Sequence, residues 1–350
     1  MAIDFFSFLR ELASNPLLAV TVLLTLGVIL VNGWTDAPNA IATAVSTRAL
    51  SIRAAIIMAS FMNFLGVFVM TMINATVAQT IFNMVDFGPD AQASIVGLCA
   101  AMFAIVVWAT AASMLGIPTS ESHALIAGLS GAAIALHNSF AGINGAEWAK
   151  VLYGLLLSSV MGFLSGFLTS RLLTWAFANR DRRHLAQGFR RAQIGAAAGM
   201  AFMHGAQDGQ KFMAVFMIGI FLNRGDTSSQ TFLVPLWMMV ISSLVMALGT
   251  SIGGYRIIKS VGMDMVKLEP YQGFAADLAA SASLMTAQLL GLPVSTTHTK
   301  TTAIIGVGAS SRLSSVKWSI VGDMVLSWIL TFPGCGLIGY GMTKLFTAIF

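Results

Sequence analysis

Charged residues are scarce in this sequence, since Asp, Glu, Lys and Arg make up only 9% of its 350 residues. A soluble globular domain carries about 25% of them, so most of the surface of this chain cannot face water. The long polar loops that a soluble enzyme of this length would need are also missing. Hydrophobic residues make up 57% of the chain instead, and the sequence therefore predicts a membrane protein.

Cysteine is almost absent, and the two that occur, Cys99 and Cys335, each lie in an apolar segment. They form neither a disulfide framework nor a metal-binding pair. The Walker A loop and the HExxH and GxSxG motifs are missing as well, so we expect no ATP-driven transport by this chain, no enzyme and no cofactor. The net charge of +5 does not indicate nucleic-acid binding, because most basic residues lie in short loops between apolar segments. A cleaved signal peptide is not expected either, because the first apolar run, near Pro16, lacks a basic region and a cleavage site.

Apolar runs of about 20 residues, long enough to cross the hydrocarbon core of a bilayer, recur along the whole chain. They predict an all-α, polytopic transmembrane helical bundle. The first and sixth runs are longer than a simple span and contain polar residues, so we expect them to be broken or hairpin-like. The ten predicted crossings are residues 17–47, 54–80, 91–115, 117–138, 149–172, 192–222, 232–254, 272–291, 293–310 and 318–346.

Lysine and arginine are distributed unevenly between the two sides of this arrangement. By the positive-inside rule, the side with the basic segment Arg180–Arg191 is cytoplasmic, and both termini lie on the non-cytoplasmic side of the cell (inner) membrane. The loops on the predicted cytoplasmic side hold thirteen basic residues: Arg48, Arg53, Arg171, Arg180, Arg182, Arg183, Arg190, Arg191, Arg256, Lys259, Lys267, Arg312 and Lys317. The opposite side holds four: Arg10, Lys150, Arg224 and Lys344.

Two motifs recur at nearly the same offset. Asn32–Asn39 resembles His204–Lys211, and Gly116–His123 resembles Gly291–His298. With an odd number of crossings per half, the second copy must enter the membrane upside down, an architecture typical of secondary transporters, although channels share it. We predict a first inverted repeat over residues 1–178, a basic cytoplasmic linker over 179–191 and a second inverted repeat over 192–350.

The first motif pair places ionisable groups at membrane depth, where each costs about 2.5–3.5 kcal/mol on insertion scales. Asp36 and Asp208 occupy equivalent positions and are followed three residues later by Asn39 and Lys211. A polar clamp between helices is one interpretation. The other is a site for sodium or a proton at an unwound turn, with Lys211 pairing with Asp208 or attracting an anion. Glycine and proline would interrupt the helices there, at Gly33, Pro38, Gly205 and Gly209.

The second motif pair supplies hydroxyl groups directly after a proline, at the expected start of a helix. Such groups can merely cap the helix, or they can help it bind a tetrahedral oxyanion. His123 and His298 close the two clusters; they are either packed imidazoles or carriers of a coupling proton, and no ligand spacing supports a metal site. The hydroxyl residues are Thr119, Ser120, Ser122, Ser295, Thr296 and Thr297.

At these four motifs the chain resembles the PiT family of inorganic phosphate transporters, which are ion-coupled symporters built from inverted repeats. Gly33–Ala40 and Gly205–Lys211 resemble its duplicated GANDxANA-like motif, and Pro118–His123 and Pro293–His298 resemble its P-x-S-x-x-H elements. The resemblance implies that Asp36, Asn39 and Asp208 hold the coupling cation, with sodium as the candidate metal, and that Ser120, Ser122, Ser295, Thr296 and Thr297 hold phosphate.

The chain departs from the family pattern beside both aspartates. Thr35 and Gln207 replace the usual Asn, and Trp34 replaces a small residue. Thr35 and Gln207 keep a polar oxygen and remain candidates for the cation site, but the reach of that oxygen changes, which leaves the choice of ion and anion open. Glu121 is a further candidate for a proton-carrying or structural role.

We therefore predict a secondary symporter for inorganic phosphate, coupled to sodium or protons, embedded in the lipid bilayer and binding no nucleic acid. A sulfate permease of the same fold is the nearest alternative. A passive anion channel is a second alternative, although its two aspartates would repel anions. A membrane-embedded enzyme is a third, and no hydrolytic motif accompanies the histidines. The family resemblance further suggests a homodimer.

Overall fold

The computed structural model describes residues 3–115, 119–180, 182–225 and 233–350, and these are overwhelmingly α-helical. Two short 3₁₀ turns, Phe140–Gly142 and Leu313–Ser315, and a π-helical turn, Ser260–Asp264, complete the regular structure of the described residues. The all-α fold class is confirmed. The α-helices of this part of the chain are α1 Phe5–Ser14, α2 Pro16–Thr35, α3 Ala37–Ser46, α4 Ile52–Ile73, α5 Thr76–Phe82, α6 Ala91–Leu115, α7 Glu121–His137, α8 Gly145–Ala176, α9 Arg182–Arg224, α10 Leu236–Ile252, α11 Tyr255–Lys259, α12 Pro270–Leu289, α13 Thr296–Ser311 and α14 Trp318–Ile349.

Several of these helices are long and apolar enough to cross a membrane. Among the described residues they are the joined pair α2–α3, then α4, α6, α8 and α14, and a sixth span forms if α10 and the bent segment after it, which turns by 68°, are counted together. The outward face of α8 is apolar, with Leu156, Leu164 and Leu168 exposed, as expected where a helix faces lipid. A multi-pass membrane protein is therefore confirmed.

The four remaining predicted crossings, α7, α9, α12 and α13, look different from simple spans. α7 and α13 have 17 and 16 residues and are buried along most of their length. α12 has 20 residues and does not qualify as a span by hydropathy. α9 is much longer, at 43 residues, but carries many polar groups. α7, α13 and the middle of α9 lie in the interior of the molecule, and α4, α8, α12 and α14 pack around them.

The packing pattern repeats between the two halves. α2 packs on α10 while α4 packs on α9, and α7 packs on α14 while α13 packs on α8. By their order in the two halves, the counterparts are α2 and α9, α4 and α10, α7 and α13, and α8 and α14. Exchanging each helix for its counterpart turns the α2–α10 pair into the α9–α4 pair, and the α7–α14 pair into the α13–α8 pair. An inverted repeat would produce this pattern, and the boundaries of the two halves stay a prediction.

The first predicted crossing is broken, as expected, and the break lies at Asp36, between α2 and α3. Pro38 has no N–H to donate to the carbonyl of Trp34, which explains the interruption. Gly33 lies inside α2 and serves a different purpose from the one predicted. A Cβ atom there would lie 2.4 Å from the carbonyl oxygen of Met246, so this glycine allows α2 to approach α10 closely.

The sixth predicted crossing is not broken, and this expectation was wrong. α9 runs without interruption through both Gly205 and Gly209. A Cβ atom at Gly205 would lie 2.4 Å from the carbonyl oxygen of Asn63, and one at Gly209 would lie 2.4 Å from the side chain of Val67. Both glycines therefore permit the close approach of α4 and α9, and the helix does not unwind there.

Other boundaries also differ from the prediction. The second crossing ends at Ile73 and is followed by the separate helix α5. Residues 182–191, predicted as part of a linker, already belong to α9. The start of the fourth crossing and of its motif, at residues 116–118, lies outside the described residues. α1, the bend after α10 and the π-helical turn were not predicted, because short or irregular elements carry a weak sequence signal.

Two long-range contacts involve residues whose sides were predicted. Arg190, on α9, donates to the carbonyl oxygen of Arg48, and both were predicted on the basic side. Lys344, on α14 and predicted on the opposite side, donates to Asn138 at 2.5 Å. The sidedness of the loops, and which side is the cytoplasm, stay predictions.

Candidate ion and substrate site

The break between α2 and α3 places the carboxylate of Asp36 inside the protein, where the residue is 1% exposed. Asn39, on the first turn of α3, donates its amide to Asp36 Oδ1 at 2.7 Å. The Thr297 hydroxyl, at the start of α13, donates to the same oxygen. The predicted neighbours Asp36 and Asn39 therefore do face one way.

The second aspartate comes from the middle of α9 and is also completely buried. Lys211, one turn later, donates its ammonium to Asp208 Oδ1 at 2.7 Å, to Ser122 Oγ at 2.7 Å and to the carbonyl oxygen of Val294 at 2.6 Å. Asn32 donates to the other oxygen of Asp208 at 3.3 Å. Lys211 thus ties one aspartate to the starts of both α7 and α13.

Thr296 links the two aspartates. Its hydroxyl oxygen lies 3.1 Å from Asp208 Oδ2 and 3.4 Å from Asp36 Oδ2. A hydroxyl carries one proton and can donate to only one of these oxygens at a time. The other contact brings two oxygens together without a hydrogen between them, which is favourable only when a cation or an additional proton lies nearby.

His204 completes this cluster, although its residue type and position had not been predicted to belong to the site. It lies one turn before Asp208 on α9, and ligand atoms of Asp36, His204 and Asp208 all lie within 4.8 Å of one another. The signal that could have found it is its position at the head of the second copy of the motif, four residues before the aspartate, where an α-helix brings side chains to the same face.

A chain of hydrogen bonds fixes the orientation of the His204 ring. The Thr250 hydroxyl donates to the carbonyl of Met246 and accepts from the Asn63 amide at 3.0 Å. The amide oxygen of Asn63 must then accept from His204 Nδ1, 2.9 Å away. The remaining ring atom, Nε2, faces Asp208 Oδ2 at 3.3 Å. A neutral imidazole would present a lone pair to a carboxylate here, so this contact also requires a cation or a proton.

Negative charge exceeds positive charge in this cluster. Glu121, the first residue of α7, is also buried, and the Thr35 hydroxyl donates to it. Three buried carboxyl groups, those of Asp36, Glu121 and Asp208, are therefore set against one ammonium group, that of Lys211. An uncompensated buried charge is strongly unfavourable, so the site needs cations or protons.

Three amide side chains of the motifs have a buried oxygen with no hydrogen-bond partner among the described residues. These oxygens are buried acceptors, and an unpaired buried acceptor costs about 1–3 kcal/mol. Oxygen atoms are also the ligands that hard cations prefer. The unpaired atoms are Asn32 Oδ1, Asn39 Oδ1 and Gln207 Oε1. Gln207 donates its amide to the carbonyl of Leu292 at 3.4 Å, toward the turn before α13.

The two clusters of hydroxyl groups come together beside the carboxylates. Ser120 and Ser295 are the N-caps of α7 and α13, and their hydroxyl oxygens lie 2.8 Å apart. The N-termini of both helices are consequently directed at one place, where the positive ends of their dipoles favour an anion. The Lys211 ammonium lies beside Ser122 at the same place. Thr119 precedes this group and is buried.

The two motif histidines lie together beside the hydroxyl groups. The ring centroids of His123 and His298 are 4.4 Å apart, and His298 stacks on Trp328 at 3.7 Å. Both Nδ1 atoms have long polar contacts of 3.4 Å, to the Trp328 carbonyl and the Ser159 hydroxyl respectively. Both Nε2 atoms are buried without a partner among the described residues, and whether these rings are packed or carry a coupling proton stays a prediction.

Comparison with known proteins shows the family to which this chain belongs. The model of the phosphate transporter family matches residues 32–339. This chain belongs to that family. A probable low-affinity inorganic phosphate transporter of Bacillus subtilis (strain 168) is 37% identical to it over 326 residues, covering 92% of this chain and 96% of the relative. One of Rhizobium meliloti (strain 1021) is 36% identical over 324 residues, covering 92% and 94%.

A solved structure supports the fold of this family member independently. The sodium-dependent phosphate transporter superposes on 96% of this chain and on 100% of its own, with a TM-score of 0.87 at 22% identity.

The contacts described above bring most of the predicted site residues of this phosphate transporter family member into one buried cluster. Gln207, His123 and His298 lie at its margin.

Proposed function

We propose that this protein is a secondary symporter that carries inorganic phosphate across the cell membrane together with sodium. The observation that supports it best is the buried cluster in which three carboxyl groups, those of Asp36, Glu121 and Asp208, face one ammonium group, that of Lys211. Such a cluster gathers cations, and the hydroxyl groups and helix N-termini beside it receive the anion. A bound cation lowers the free energy of binding the anion beside it, and a bound anion does the same for the cation, which is the physical basis of coupling.

Sodium fits this cluster better than a proton alone. Asn32 and Asn39 contact the carboxylates through their amide nitrogens, and the amide oxygens of both are unpaired. Rotation of either amide would turn its oxygen toward a hard cation held by the carboxylates. A proton would satisfy one carboxylate or the His204 ring but would leave the amide oxygens unpaired. Sodium would be bound by Asp36, Asn39 and Asp208, with Thr35 at the margin of the site.

Phosphate fits the anion site better than sulfate. At neutral pH phosphate keeps a proton that it can donate to a carboxylate, whereas sulfate has none and would meet the acidic side chains as pure repulsion. Ser120, Ser122, Ser295, Thr297 and Lys211 supply donors for the remaining oxygens. The relatives from Bacillus subtilis and Rhizobium meliloti are described as probable low-affinity inorganic phosphate transporters, which agrees with this choice.

The structure corresponds to a closed state of the transport cycle. Asp36, Asp208 and Lys211 are at most 1% exposed, so the cluster communicates with neither side. In a symporter the site opens to each side in turn, and simultaneous opening is avoided. A passive channel would need a continuous polar opening past the two aspartates, and these would repel the anion.

The test is uptake of labelled phosphate into proteoliposomes under an imposed sodium gradient, and separately under an imposed proton gradient. We expect the sodium gradient to drive accumulation and the proton gradient to drive little. Asp36→Asn and Asp208→Asn should abolish accumulation without preventing membrane insertion, while the exposed control Asp323→Asn should transport normally. Full uptake by both site variants would contradict the proposed site. Uptake driven only by the proton gradient would show that the coupling ion is a proton and not sodium.

Two further arms of this experiment separate the alternatives. An excess of unlabelled sulfate should leave phosphate uptake nearly unchanged; strong competition would indicate a sulfate permease. Phosphate entry without any cation gradient, never exceeding the external concentration, would indicate a channel.

A further inference from the structure

A second buried polar cluster lies outside the site described above. Lys300, on α13, forms an ion pair with Asp277, on α12, and donates to the hydroxyl of Thr43, on α3, at 3.0 Å. The Thr43 hydroxyl in turn donates to Asp277 Oδ1 at 2.7 Å. All three residues are fully buried, and none of them belongs to the repeated motifs.

This cluster is in register with the central site. On α3, Thr43 and Thr47 follow Asp36 by seven and eleven positions and Asn39 by four and eight, spacings that keep all four residues on one face of a helix. On α13, Lys300 follows Thr296 by one turn, a rise of about 6 Å. The second cluster is therefore the next polar layer beyond the central site, in the direction of the C-terminal end of α3.

The same face of α3 continues to the surface. The Thr47 hydroxyl lies 2.8 Å from both the Thr43 carbonyl oxygen and Gln193 Oε1, and Thr47 is only half-buried. The next residue, Arg48, is exposed, and its carbonyl oxygen accepts a hydrogen bond from Arg190. A row of polar side chains thus leads from the central aspartates, past Lys300, toward the surface at Arg48.

One oxygen of the second cluster has no partner among the described residues: Asp277 Oδ2 is buried and unpaired. The hydroxyl of Thr301 is also buried without a partner, and Thr301 lies one turn after Thr297, on the face of α13 that meets Asp36 and Asn39. A carboxylate acceptor and a hydroxyl thus accompany the ammonium of Lys300. This combination complements an oxyanion that still carries a proton.

We propose that Lys300, Thr43, Thr301 and Asp277 form a second phosphate site on the route between the central site and the basic side of the protein. This proposal rests on the proposed function. In the closed state Asp277 neutralises Lys300 and keeps the site occupied by protein atoms. A passing phosphate displaces the carboxylate from Lys300, accepts from Lys300 and the two threonine hydroxyls, and donates its own proton to Asp277 Oδ2.

The test distinguishes a role of this cluster in the passage of phosphate from a role in phosphate binding at the central site. The full-length protein with Lys300→Met and Asp277→Leu together loses the site without leaving a lone buried charge, a replacement that often preserves or improves stability. Labelled inorganic phosphate binding is measured at equilibrium in detergent, and sodium-driven uptake is measured in proteoliposomes. We expect binding within about twofold of the unmodified protein and uptake slower by roughly tenfold or more, equivalent to one lost charge-assisted hydrogen bond.

Two single variants complete the design. Thr301→Val removes a hydroxyl that has no partner among the described residues, so it should fold normally and slow uptake by roughly threefold to tenfold. Thr302→Val, one position along, removes a hydroxyl that contacts only backbone carbonyls of its own helix, those of His298 and Thr299, and it should transport normally.

Unchanged uptake in the double variant or in Thr301→Val would overturn the proposal and leave the ion pair as a clamp between helices. Loss of equilibrium binding together with uptake would also overturn it, because the pair would then support the central site. If the unmodified protein neither binds nor transports phosphate, the proposed function fails instead, and that result is distinguishable from both.

Discussion

Removal of the Lys211 ammonium should make the stability of the protein depend on sodium. The ammonium donates to Asp208, to Ser122 and to the carbonyl oxygen of Val294, and its side chain is completely buried. Lys211→Met leaves Asp208 without its ammonium partner, in a cluster that also holds the buried carboxyl groups of Asp36 and Glu121. Breaking a buried pair from one side costs about 3–5 kcal/mol, so we expect Tm to fall by roughly 5 °C or more.

Sodium should recover much of that loss, because a ligand that binds the folded state stabilises it by mass action. The assay is thermal unfolding in detergent at constant ionic strength, with sodium chloride replaced stepwise by choline chloride. Lys211→Met should gain more Tm from sodium than the unmodified protein does. Adding Asp208→Asn should restore most of the stability in choline, since it removes the carboxylate that had lost its partner.

The matched control is Lys150→Met, which breaks an ion pair with Glu147 at 2.8 Å on the surface, where the lysine side chain is 52% exposed. Exposed pairs contribute about 0–1 kcal/mol, so this variant should change Tm little and show no added response to sodium. Equal effects of the two lysine variants, or a Lys211→Met protein indifferent to sodium, would refute the charge balance assigned to the site.

Three further predictions follow from the packing and the hydrogen bonds. Gly205→Ala should destabilise the protein by about 1–3 kcal/mol in chemical unfolding, because its Cβ would meet backbone of α4, while Gly195→Ala, with open space around it, should be neutral or slightly stabilising; equal effects would contradict the packing role. Thr296→Val should lower sodium-driven uptake by roughly tenfold, and Thr299→Val, whose hydroxyl donates only within its own helix, should not; similar uptake by both would remove the bridge between the aspartates. His298→Phe should keep the ring stacking and retain sodium-driven uptake within about threefold; a loss of uptake well beyond that would show that the imidazole nitrogens take part in transport.

Part of this site could be predicted from the sequence because it is duplicated. Asp36 and Asp208 stand out as charges in apolar segments, and their recurrence at matched positions indicates that they converge. The hydroxyl groups after each proline were recognisable as helix starts for the same reason. The structure places Ser120 and Ser295 in direct contact, which is where an inverted repeat brings equivalent residues together.

Other features have no local signal. The sequence does not show whether Gly205 interrupts α9 or lets another helix pack closely against it. In the structure it packs against α4, and α9 stays continuous. The role of His204 depends on a hydrogen-bond chain through Asn63 and Thr250, which come from different helices. The pairing of Lys300 with Asp277 joins residues from α12 and α13, and neither residue type indicates its partner.

The central claim is that a cation held by Asp36 and Asp208 makes phosphate binding favourable, and equilibrium binding in detergent tests it most directly. The dissociation constant of labelled phosphate is measured at rising sodium concentration, with choline keeping the ionic strength constant. We predict that phosphate binds progressively tighter as sodium rises and that Asp36→Asn abolishes this dependence, because coupling between two ligands is reciprocal. Equally tight phosphate binding with and without sodium in the unmodified protein would contradict the claim.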